Sequence, residues 1–239
     1  RGLDDPPPAW LKAWKGDGIL ARINDRRMAR ALSDKGVPVV DLRRTLHCDS
    51  VPAVGPDDAA VARLVVEHFR ERGFRRFAFV GLPVGIHRAM DARAEHFCGM
   101  VEQAGHEHQR LNVESVTQGD RWQSQCGQIS RWLKRLDRPS AIMACNDDLG
   151  LQVLDACRRA GIRVPDEIAV VGVGNDECLC DLALPALTSV DLNPQKVGYE
   201  AAALLDRMMA GKSVPDREMV VAPAGIVARM SSDVVATED

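Results

Sequence analysis

The chain has 239 residues, 46% hydrophobic and 27% charged, with a net charge of −3 and both signs interspersed. That balance belongs to a folded body of one large domain or two linked lobes, and it excludes a disordered or collagen-like polymer. It also lacks the basic field with which a domain neutralises nucleic-acid phosphates, so this chain alone is not expected to grip DNA or RNA.

Pro6-Pro7-Pro8 reads as a turn or an extended linker near the start. Short β-rich runs then alternate with helical stretches, the pattern of a parallel sheet with helices on its faces. Strands are expected at 18–23, 37–42, 76–80, 110–115, 141–144, 168–173, 186–190 and around Val220-Val221. The stretch 61–72, "VARLVVEHFRER", has helical apolar spacing and stops at Gly73; 149–159 closes at Gly161; 200–210, "EAAALLDRMMA", ends at Gly211. A glycine just past the last periodic residue is a C-terminal cap. One strand-helix series precedes about residue 50 and a longer one follows, joined by the Pro- and Asp-containing "VPAVGPDD", so two α/β lobes are expected.

In open α/β sheets, ligands bind outside the carboxyl ends of the strands. Three of the expected strands run out into polar clusters: "GILARIND" into Asn24-Asp25, "AIMACNDD" into Asn146-Asp147-Asp148, and "VVGVGNDE" into Asn175-Asp176-Glu177. The turn after "RRFAFVGLP" leads on to Arg88 and Arg93. Carboxylates, amides and a guanidinium offer the paired acceptors and donors that adjacent sugar hydroxyls need. Any one cluster is equally what a helix N-cap looks like. Trp122, in "QGDRWQSQ", reads either as a face for a sugar ring or as plain packing, and Arg93 as a bidentate donor or a solvated helix charge.

Other chemistries find little support. Gly172-Val-Gly174 lacks the third glycine of a dinucleotide fingerprint, and there is no P-loop, GxSxG elbow or HExxH. His47-Cys48-Asp49 and His106-Glu107-His108 have no zinc-ligand company at a sensible spacing, so no metal and no cofactor is expected. Seven cysteines without a CxxC pair, several inside apolar runs, argue for a reducing, cytoplasmic compartment. The apolar runs are far short of the ~20 residues of a membrane helix.

The stretches "ALSDKGVPVVDL", "HFRERGFRRFAFVGLP", "PSAIMACNDDLGLQVL", "AGIRVPDEIAVVGVGNDE" and "PALTSVDLNPQKVGYEAAALLDRMMAGK" resemble, in order and over nearly the whole chain, the sensor domain of the lac-repressor and galactose-repressor family. The resemblance implies the periplasmic-binding-protein-like fold, two Rossmann-like lobes with parallel sheets. "WLKAWKGDGILARIND", "GDRWQSQ" and "VVAPAGIVARMSSD" are similar to regulators of pentose operons that join such a sensor to a C-terminal AraC-type helix-turn-helix domain. Xylose or a related monosaccharide is then the implied effector. The implied contacts fall on Asn24, Asp25, Arg93, Trp122 and Asn146. Gly174 stands where the family has an aspartate, so Asn175 or Asp176 is expected to reach instead.

The implied lobes are 1–50 with 191–220, and 51–190 with 221–239. The first lacks two opening strand-helix units before Trp10, and the DNA-binding domain expected after Ser232 is absent from this chain. The family usually forms homodimers; the helix at 200–210 could serve, or its stripe could be core. A periplasmic sugar carrier is the alternative reading of the same fold, and a doubly wound enzyme a more distant one.

Overall fold

The computed structural model describes residues 6–46, 48, 50–114, 120–214, 218–234 and 236. After a short 3-10 turn at Ala9–Lys12 come β1 (Ile19–Ala21), α1 (Arg26–Ser33), β2 (Val39–Asp41), β3 (Ala53–Pro56), α2 (Asp58–Glu71), β4 (Phe77–Gly81), α3 (Arg88–Gln103) and β5 (His108–Asn112). The chain continues through α4 (Arg121–Leu133), β6 (Ser140–Ala144), α5 (Asp147–Ala160), β7 (Ile168–Val173), α6 (Glu177–Leu182), β8 (Thr188–Asp191), α7 (Pro194–Met209), β9 (Glu218–Val221) and β10 (Gly225–Val227).

These elements form two compact units, the first made of Arg1–Asp57, His87–Ala89 and Asn193–Ala222, the second of Asp58–Ile86, Met90–Leu192 and Pro223–Asp239. The first unit holds a parallel sheet of order β1-β2-β3-β9. Successive residues of β2 serve its two faces: Val39 joins Leu11, Ile23, Leu32 and Val51, whereas Val40 joins Val54, Leu204, Leu205 and Val221. Helix α7 lies over the second face. Asn193 caps it, Pro194 fits its first turn, and Ala201, Leu204 and Leu205 are buried. The apolar stripe of 200–210 is therefore spent on this core.

The second unit holds a sheet of order β10-β8-β7-β6-β4-β5. β4, β6 and β7 are buried along their whole length, as a sheet covered by helices on both faces requires. Phe69, Phe79, Phe97, Ile129, Leu133, Ile142, Met143, Ile168 and Leu187 fill its core. Gly161, in the left-handed region at φ 69, closes α5 as the sequence suggests.

Four expectations are corrected. The connection "VPAVGPDD" contains β3, an inner strand between β2 and β9. Its prolines and Gly55 look like breakers, yet Pro56 ends the strand, and a Cβ at Gly55 would lie 2.6 Å from Arg44 Cδ, so the small residue makes room for an arginine. The strand expected at 110–115 lies at His108–Asn112, and Ser115 falls outside the described residues. Helix α7 begins at Pro194, ahead of residue 200. β10 runs antiparallel to β8, so the second sheet is not wholly parallel.

Candidate ligand-binding site

In the second unit β4, β6, β7 and β8 run parallel, so their carboxyl ends share one edge of the sheet. Asn146 follows β6 there and caps α5, its Oδ1 accepting the Leu149 N–H at 2.9 Å. Asp176 follows β7, is exposed, and caps α6 by accepting the Leu179 N–H at 3.2 Å. Asn175, held at φ 53, donates its N–H to Ser189 Oγ at 3.0 Å and accepts Arg229 Nη1 at 3.0 Å. The capping role weighed for these clusters is thus present at each helix start. It engages Oδ1 of Asn146 and of Asp176, whereas Oδ1 of Asn175 is held by Arg229.

The residue that ties this edge together is Asp147, only 5% exposed. Its Oδ1 accepts the Ser189 hydroxyl at 2.6 Å and its Oδ2 the Asp176 N–H at 2.9 Å, joining the tips of β6, β7 and β8. Burial raises its pKa, and the hydrogen bonds from Ser189 and Asp176 pull the other way. A Cβ at Gly174 would stand 2.8 Å from Asp147 Oδ2, and one at Gly172 would overlap Oδ1 outright. Gly174 also has φ 135. A side chain at 174 would therefore press on Asp147 from a backbone conformation that side chains rarely adopt, so this turn favours glycine. The signal in the sequence was the paired Gly172 and Gly174 on one face of a strand.

Arg93 is 4% exposed, so it is not a solvated helix charge. Its Nε and Nη2 donate to Asp58 Oδ1 at 3.0 and 2.8 Å, and its Nη1 donates to the Cys145 carbonyl beside Asn146. The guanidinium is thereby fixed next to the β6 tip, and Asp58 is its positioning partner. Trp122 is 39% exposed and donates Nε1–H to Asp155 Oδ2 at 3.3 Å. Asp155 sits on α5 about 13.5 Å of helix rise beyond Asn146. That contact holds the indole on the α4–α5 face, away from the strand tips.

In the first unit the buried carboxylate is Asp41, at the end of β2 and also 5% exposed. It accepts the N–H groups of Ile23 at 3.0 Å, Arg43 at 3.0 Å and Arg44 at 2.9 Å, and so fixes the β1 tip against the β2 turn. Burial raises its pKa against those three bonds. Asn24 follows Ile23, and its Oδ1 is enclosed with no hydrogen-bond partner among the described residues. Asp25 caps α1 by accepting the Met28 N–H at 2.8 Å. Arg43 and Thr45 lie on one imidazole, with Arg43 Nε and Thr45 Oγ1 each 3.4 Å from His87 Nε2.

Among the described residues no group of three or more His, Cys, Asp or Glu is arranged to hold a metal; His47 and Asp49 lie outside them. Burial pushes the Cys145 thiol up to about 11 and Cys157 up to about 12, the opposite of what an activated nucleophile needs. No helix among the described residues is long and apolar enough to cross a membrane.

Comparison with known proteins points the same way as the geometry. The chain is 30% identical over 229 residues to the xylose operon regulatory protein of Escherichia coli K12, covering 93% of this chain and 58% of that protein. It is 29% identical over 210 residues to the transcriptional regulator CelR of Thermobifida fusca, covering 86% of this chain and 60% of that one. A solved structure of a xylose-binding transcription activator, XylR, superposes with a TM-score of 0.83 at 29% identity, covering 95% of this chain and 60% of the other. The chain therefore spans somewhat over half the length of these regulators. Residues 66–232 match the periplasmic binding protein-like domain. A two-sheet α/β chain whose strand tips carry Asn24, Asp41, Asn146 and Asp147, with Arg93 held beside them, thus belongs to the periplasmic-binding-protein-like family of sensor domains, alongside regulators of the LacI type.

Proposed function

We propose that the chain is the effector-sensing part of a sugar-responsive transcriptional regulator, with xylose or a related monosaccharide as the effector. The observation that supports this most is the set of polar strand tips in a fold whose relatives include a xylose operon regulator and a xylose-binding activator. Asn24, Asn146, Asn175, Asp176 and Arg93 present amide, carboxylate and guanidinium groups of the kind that hydroxyl pairs require. Trp122 contributes a ring face only on release from Asp155. The two units serve as the two lobes of the sensor. A sugar that binds one conformer about 100-fold better than another shifts their balance by about 2.7 kcal/mol, and that shift re-poses an attached helix-turn-helix domain on DNA. The regulator acts in the cytoplasm as a homodimer; neither role calls for a cofactor or a catalytic residue.

Calorimetric titration with pentoses and hexoses tests the reading. Saturable heat with a pentose, and loss of that heat in Asn146→Ala, is the expected result. No heat with any sugar on a chain that melts cooperatively overturns it.

A further inference from the structure

Among the described residues, no carboxylate of the first unit pairs with the arginines Arg22 and Arg43 at the tips of β1 and β2. Arg43 is half-buried, and its only side-chain hydrogen bond among the described residues runs from Nε to His87 Nε2 at 3.4 Å, leaving Nη1 and Nη2 without an acceptor. Asp41, two residues away, already accepts three backbone N–H groups. Glu218 is taken by Arg88 at 2.5 Å and Arg44 at 3.6 Å, and Asp25 is taken by its own helix. Arg22, just past β1 and exposed, adds a second cation with no ion pair among the described residues. Burial, and after it the charge of Arg22, press Arg43 toward losing its proton, with Asp41 offsetting them in part. A half-buried guanidinium whose Nη groups lack an acceptor is costly unless an anion joins it. Beside them stands Asn24, whose enclosed Oδ1 lacks a donor.

We infer that the effector is a monosaccharide bearing an oxyanion, with its carboxylate or phosphate between Arg43 and Arg22 and a hydroxyl donating to Asn24 Oδ1. The juxtaposition asks for both halves of such a molecule. The free Nη1 and Nη2 edge of Arg43 matches two oxygens of one anionic group, as a lysine or a neutral donor does not. An enclosed amide oxygen one strand away asks for a hydroxyl at short range from that group. A neutral sugar satisfies Asn24 but leaves the Arg43 Nη groups without an anionic acceptor. This rests on the sugar-sensor reading above and narrows it from any monosaccharide to the acids and phosphates.

The test is calorimetry on the whole chain with D-xylose, D-xylonate and D-xylose 5-phosphate, with inorganic phosphate and acetate as bare anions, each at low and high salt. At least one charged sugar is expected to bind roughly tenfold or more tightly than xylose, the worth of one charge-assisted contact. Its affinity is expected to fall at high salt, while the bare anions bind far more weakly. Which charged sugar wins separates a sugar acid from a sugar phosphate. Arg43→Gln should bring the charged-to-neutral preference down to about one, and Arg131→Gln, which removes the same charge from an exposed helix site, should leave it intact. Should Arg43→Gln not fold, the salt dependence of the unaltered chain decides. Xylose binding as tightly as both charged forms, at either salt, overturns this inference and leaves the sensor reading standing; no binding by any sugar overturns both.

Discussion

Asp147 is a carboxylate almost out of reach of water, held by a hydroxyl from β8 and an amide from the turn after β7. Replacing it by alanine leaves the Ser189 hydroxyl and the Asp176 N–H without their acceptor. The buried Ser189 hydroxyl costs about 1–3 kcal/mol when orphaned and the part-buried Asp176 N–H less, so Asp147→Ala should lower unfolding free energy by about 3 kcal/mol in a urea titration. Gly172→Ala forces a methyl group onto the same carboxylate, at the cost of about 1–3 kcal/mol that overpacking brings. The two losses should not add, because removing the carboxylate makes room for the methyl. The double variant is expected to be more stable than the sum by about 1 kcal/mol or more, and strict additivity would show that the two sites are independent. Polar tips were legible in the sequence, since Asn and Asp after an apolar run have few other uses. Which of Asn146, Asp147 and Asp148 turns inward was not, because three adjacent residues after a strand differ only in the direction the turn gives them.

At the scale of elements, the second unit is closed by its last segment. The Ser231 hydroxyl donates to the Val170 carbonyl at 2.6 Å and accepts the Thr188 N–H at 2.8 Å, and its own N–H meets the Ala186 carbonyl at 2.9 Å. The Ser232 hydroxyl donates to Thr188 Oγ1 at 2.8 Å, so toward His68 on α2, also 2.8 Å away, it can only accept. His68 is thereby fixed as the Nε2–H form. Burial, with Arg72 adding to it and Asp233 opposing, lowers its pKa to about 4 from 6.5. The unfolded chain takes up this proton first, so the contribution of His68 is fully present above pH 6.5 and is lost as pH falls through 6.5 toward 4. By linkage the loss is about 3 kcal/mol. Measured against His68→Gln, which cannot titrate, the unaltered chain should lose that margin between neutral pH and pH 4; parallel stability curves for the two proteins would refute it. The helices around this segment were readable from period and caps, as at Gly161. β3 was not, because Pro52, Gly55 and Pro56 make an inner strand look like a connection, and its place depends on pairing with β9, far along the chain.

The whole chain carries cores of very different size. The second unit has one continuous core running from Val61 to Val190, whereas the first divides its smaller apolar content between two faces of a sheet whose strands are three or four residues long. The alternation of strand and helix made two α/β bodies foreseeable, since each βα unit is written locally. The return of α7 and β9 to the first unit follows from long-range pairing that periodicity does not encode. Small bodies bury a lower share of their surface and open more readily. Under increasing denaturant, amides of the first sheet such as Val40 and Val54 should therefore exchange through a smaller opening free energy than Ile142, Val170 and Val171 in the second. Hydrogen exchange read residue by residue should give two families of isotherms, and tryptophan fluorescence should be multiphasic, because Trp10 and Trp14 lie in the first unit and Trp122 and Trp132 in the second. A saturating effector held by strand-tip residues of the first unit should raise the lower family toward the upper by mass action, with the upper family moving less. One shared isotherm for all these amides without effector would mean that the two cores unfold as one.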